Sequence, residues 1–120
     1  MDLQEFTDKL NQKIDSKAPH LTEDEVYNAH KNYIDYHRNT NPNVLYVIPM
    51  EEMAELTQHL SKLVRGKESI DNKGILEELA DVQICIDNLV IALGLDKETL
   101  EYAKDVKLER VANKIQNRTM

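Results

Sequence analysis

The stretches "EEMAEL" (residues 51–56) and "EELAD" (residues 77–81) each set carboxylates inside a run that is otherwise apolar and helix-forming. At about 100° per residue, Met53, Leu56, Leu60 and Val64 make the expected core stripe of one helix, with Glu52, Glu55 and His59 along its edge. On the other, Ile75, Leu79, Val82, Ile86, Leu89 and Leu93 form one apolar face and Ala80, Ile84 and Ile91 a second. Between those faces runs a strip of Glu78, Asp81, Cys85, Asn88 and Ala92. A helix that is apolar on two sides is packed on two sides, within a bundle or across a subunit interface. The short loop "GKESIDNKG" (66–74) makes the two helices antiparallel neighbours, so their acidic strips can face each other.

Working outward, the remaining chain also reads as helix. Phe6, Leu10 and Ile14, four apart, predict a short amphipathic helix from Leu3 to about Ser16. Thr22 opens a second helix with Glu25 as its capping-box partner, ending in "RNTNPN" (38–43). Pro49 suits the first turn of the third helix, where no amide hydrogen is needed, and Gly66 stops it. The fourth runs from about Ile75 to Leu93 and stops at Gly94. Asp96 then caps the fifth, which continues through Leu100, Ala103, Val106, Val111 and Ile115. Few glycines and prolines and little β-branched alternation favour helices over strands. The expected fold is all-α, a bundle of about five helices in a single domain over residues 1–120, with N-terminal helices in 1–47 and a helical core in 48–117.

The net charge of −7 argues against a nucleic-acid polymer or an anionic membrane as partner, since both require a basic surface. One cysteine, Cys85, excludes an intramolecular disulfide, and "MDLQEF" does not read as a signal peptide, so the expected location is the cytoplasm. No apolar run approaches the roughly 18 residues of a membrane span.

Four converging carboxylates, Glu52, Glu55, Glu78 and Asp81, repel one another at low dielectric, and protonation, salt bridges or a bound cation relieve that repulsion. All-oxygen ligation suits Mg²⁺ or Mn²⁺. Glutamates on solvated helix faces are the plainer alternative. Lys107, Arg110 and Lys114 place three cations on one strip of the fifth helix, suited to an anion or simply to solubility. Carboxylates for a metal and cations for phosphate together make a kit for cleaving a polyphosphate. Tyr27, His30, Tyr33 and His37 form a stripe that either contacts a base or serves helix packing, and His59 sits one turn beyond Glu55.

"EEMAE" followed by "EELAD" resembles the EExxE and ExxD signature of the all-α nucleoside triphosphate pyrophosphohydrolases, the MazG-like superfamily. Asn88, seven residues after Asp81, the turn "LGLD" (93–96) and "KLER" (107–110) agree in order, and the likeness covers about residues 48–114. It implies a four-helix catalytic core that assembles as a homodimer or homotetramer and converts a nucleoside triphosphate to the monophosphate and pyrophosphate. Glu52, Glu55, Glu78 and Asp81 would bind Mg²⁺, with Mn²⁺ a substitute. Glu51, Glu52 or Glu55 would orient or deprotonate the attacking water, and Asn88, Lys107 and Arg110 would hold the substrate. Alternatives are a phosphoribosyl-ATP pyrophosphohydrolase and a non-catalytic helical oligomer serving as a binding or regulatory module.

Overall fold

A computed structural model of the chain describes residues 21–68 and 73–117, together with residues 4, 5, 8, 9 and 12. The helix expected from Leu3 to Ser16 falls mostly outside the described residues. The described chain is helical: α1 spans Glu23–Thr40, α2 Val44–Val64, α3 Lys73–Ala92 and α4 Lys97–Gln116. None of these helices is long and apolar enough to cross a membrane.

The helix ends follow from local chemistry. Thr22 accepts the Glu25 amide at 3.1 Å while the Glu25 carboxylate accepts the Thr22 amide at 3.3 Å, a complete capping box. Asp96 accepts from the Glu98 amide and from the Thr99 hydroxyl, fixing the start of α4. Gly66 and Gly94 take φ of 71° and 68°, the left-handed conformation that ends a helix without a Cβ clash. At each, crossing amide bonds close the last turn, Lys67 to Lys62 and Gly66 to Leu63, then Leu95 to Val90 and Gly94 to Ile91.

The start of α2 departs from the sequence reading. Pro49 lies inside the helix and not in its first turn, because the amides of Val44, Leu45 and Tyr46 already bond to the carbonyls of Asn41, Pro42 and Asn43. Pro42 is therefore the proline that precedes the helix, and Val44–Ile48, rich in β-branched residues, is drawn into it by burial of Leu45 and Pro49.

Helices α2 and α3 pair most extensively, and α1 packs across both. Ile34 of α1, 1% exposed, is the most deeply buried large side chain among the described residues. Arg38 Nη2 donates to the Ala92 carbonyl at 2.6 Å, tying the end of α1 to the end of α3 with a cation at the negative pole of that helix. In contrast, α4 packs closely along none of the others and has no buried residue.

The inward stripe of α2 also differs from expectation. Leu45, Pro49, Glu52, Leu56, His59 and Leu63 are the covered positions, whereas Met53, Leu60 and Val64 stand exposed, Val64 at 87%. Glu52 thus lies within the packed stripe and not at its edge. Replacing Ile34 with Ala should destabilise the fold by about 2–4 kcal/mol, the usual range for emptying a buried aliphatic site, as read from urea unfolding.

Candidate metal and substrate site

Two helices aim the acids at each other. Glu52 and Glu55 lie three residues apart on α2, one helical face, and Glu78 follows the first turn of α3. One carboxylate oxygen from each of Glu52, Glu55 and Glu78 falls within 4.8 Å of the others. Asp81, one turn along α3, stands outside that triad but shares a cavity wall with Glu52. Glu51 is exposed and belongs to neither group.

Among the described residues no cation pairs with these carboxylates, and Glu52 Oε2 and Glu78 Oε2 are buried without a hydrogen-bond partner. Burial, a hydrogen bond to Glu52 and the charges of Glu55 and Glu52 push Glu78 up to about 7. Burial raises Glu52 as well, and burial with the Glu55 charge raises Asp81. Cys85 and Tyr33 are also raised, first by burial and then by nearby negative charge. Burial and that negative charge favour the protonated thiol of Cys85, the form that packs.

Three converging carboxylates could hold a hard divalent cation such as Mg²⁺ or Mn²⁺, and among the described residues no imidazole or thiolate joins the triad to favour zinc.

Beside the acids opens a cavity of about 520 Å³, within the range of small-molecule sites. Glu52 and Ile48 line it from α2, Asp81, Ile84, Cys85 and Asn88 from α3, and His30 and Tyr33 from α1. Stepping back along α2 from Glu55 to Ile48 matches stepping forward along α3 from Glu78 to Asn88, the sign of antiparallel packing. Asn88 is 7% exposed, and its Oδ1 lies 2.6 Å from His30 Nδ1, which must carry the hydrogen because the carbonyl oxygen can only accept.

The tyrosine and histidine stripe of α1 divides accordingly. His30 and Tyr33 reach the cavity, while His37 packs edge-on against Tyr33 and Tyr36. His59 Nδ1 bonds Glu68 Oε1 at 2.7 Å, holding the segment after α2 against that helix. Sequence periodicity gave no sign of Glu68, whose only cue was the loop between the acidic helices. Lys107 and Arg110 are exposed on α4 and line no part of this cavity.

Compared with protein-family models, curated proteins and solved structures, the chain gives no match.

Glu78 titrates near 4.5 when unfolded and at about 7 when folded, so the native state keeps a proton that the unfolded chain releases between those values. Its contribution is therefore fully present below 4.5 and lost as pH rises through about 7. The melting temperature of the metal-free protein should fall from about pH 5 to about pH 8, Glu78→Gln should flatten that fall, and Mg²⁺ should raise the melting temperature most at the alkaline end.

Proposed function

We propose that the protein is a Mg²⁺-dependent nucleoside triphosphate pyrophosphohydrolase. The observation that carries this reading is the converging triad of Glu52, Glu55 and Glu78, whose Glu52 lines, together with Asp81, a neighbouring cavity of nucleotide-compatible size. The spacing of acids, Asn88, "LGLD" and "KLER" supports it independently through its likeness to the MazG-like signature.

Glu52, Glu55, Glu78 and Asp81 would hold the cation, whose chemistry is to neutralise polyphosphate charge and acidify a bound water. The chain's own residues do the rest. Glu78 releases its proton when the site is filled, because a carboxylic acid is a poor ligand. A carboxylate of the Glu52–Glu55 pair orients a water and takes its proton as the water oxygen bonds to the α-phosphorus. The bond from that phosphorus to the bridging oxygen breaks, and pyrophosphate leaves with the electron pair. Ile48, Ile84 and Leu21 supply an apolar wall that limits competing water. Tyr33 and the His30–Asn88 pair present polar edges to the nucleoside, so Asn88 anchors substrate through a side chain already held in place.

Pyrophosphate release from a panel of common and modified nucleoside triphosphates, with Mg²⁺ or Mn²⁺, tests the assignment. At least one should turn over, and Glu55→Gln and Asp81→Asn should each lower kcat by about 100-fold or more. A purified protein that releases no pyrophosphate from any of them, with variants as stable as or more stable than wild type and unresponsive to Mg²⁺, would mark it as a non-catalytic helical module.

A further inference from the structure

A second cavity, also of about 520 Å³, lies between the start of α1, the last turns of α3 and the first turns of α4. None of the four acids of the metal site lines it. Its volume falls within the range of small-molecule sites. Val90, 8% exposed, and the half-buried Ile91 and Leu100 make its apolar floor. Leu21, Val26 and Leu95 line it too and stay exposed, at 43%, 40% and 59%. Apolar surface is thus gathered in one hollow and not scattered singly over the helices, the pattern that marks a binding surface.

The charges around that hollow set the sign of a guest. Each helix lends the wall one carboxylate, Glu23 from α1, Asp87 from α3 and Glu101 from α4, and Lys97 is the one lysine or arginine among the lining residues. Among the described residues no cation pairs with Glu23 or Asp87, and Glu101 holds Lys104 at 3.3 Å in an exposed contact of the weak kind that a guest can displace. A bare metal ion does not answer this arrangement. Among the described residues the carboxylates close enough together to share an ion are Glu52, Glu55 and Glu78, and these three are not. Negative charges set apart around an apolar hollow call for a guest with a hydrocarbon body and a positive end.

We propose that this second cavity binds a small organic cation, an ammonium carried on an aliphatic or aromatic body. The body lies against Val90, Ile91 and Leu100, and the ammonium faces Asp87 and Glu101. This site is separate from the carboxylate layer and stands without the hydrolase reading. The two cavities share a wall, however: Leu21, Val26 and His30 line both, and His30 is the residue bonded to Asn88.

Dansylcadaverine, a naphthalene carried on an aliphatic primary amine, is a suitable probe. Titrated into the full chain at pH 7 and low salt, without divalent metal, it should bind saturably with a Kd of about 10⁻⁶–10⁻⁴ M and a blue shift of its emission. Its N-acetylated derivative keeps the body and loses the charge, and should bind about 10-fold more weakly or worse. Asp87→Asn with Glu101→Gln should weaken the probe by about 10-fold or more. Asp35→Asn with Glu109→Gln removes the same charge from exposed positions outside the cavity, and should change the affinity by less than about twofold. Lys97→Glu should tighten binding by about threefold or more, a gain that a poorly folded variant does not imitate. No saturable binding, equal affinity for the acetylated derivative, equal losses from the two charge-removing pairs, or no gain from Lys97→Glu each overturns the site.

Discussion

Mutual repulsion among carboxylates across the α2–α3 interface is the constraint on which the rest of this structure depends. The longest helix pairing in the chain brings Glu52, Glu55 and Glu78 together. An ordinary core would fill that layer with leucine, at a gain of about 2 kcal/mol per side chain. Here the layer is held together by what surrounds it, Leu45, Pro49 and Leu56 on α2 and Cys85 and Val90 on α3. The protonation behaviour of the whole neighbourhood follows from this choice. Glu78 keeps a proton near neutrality, and the same field reaches Asp81, Cys85 and Tyr33. One helix layer therefore fixes the packing and the acid–base chemistry at once.

Helix α1 turns that charged layer into a site with a boundary. Its Ile34 anchors it to the pair, Arg38 locks its end to the end of α3, and His30 and Tyr33 are thereby held over the cavity. The hydrogen bond from His30 to Asn88 joins the first third of the chain to the acidic strip of α3. Each of the three helices thus contributes both an apolar and a polar residue to the cavity wall.

Much of this was legible in the residues because short-range chemistry announces itself. Thr22 with Glu25, Asp96 with Glu98, and the two glycine stops depend on contacts within five positions, and each lies where its spacing puts it. The facing of Glu52, Glu55 and Glu78 was equally readable, since a short loop leaves paired helices little choice. What could not be read was which stripe turns inward. Met53, Leu60 and Val64 are more apolar than Glu52 and His59, yet the less apolar set is covered. Helical periodicity identifies faces, but ranking them by hydrophobicity assumes that each helix buries its greasiest side within its own chain. The same assumption concealed the open position of the second half of α4, where Val111 and Ile115 look like core positions in the sequence and are exposed in the fold. Pro49 misled for a different reason: its preference for a first turn is real, but the bonds from Val44, Leu45 and Tyr46 had already begun the helix.

That proline leaves a mark on the helix it sits in. With no amide hydrogen at position 49, the Leu45 carbonyl has no acceptor role toward its usual fourth neighbour, and the ladder of α2 is missing one rung. The turns before the gap and the turns after it are therefore coupled more weakly to each other than successive turns of an intact helix. Ile48, which lines the cavity, lies before the gap, and Glu52 and Glu55 lie after it. The missing rung falls beside Leu45 and Pro49, the two buried residues of α2, so side-chain packing and not the backbone ladder holds that turn in line with the acids that follow.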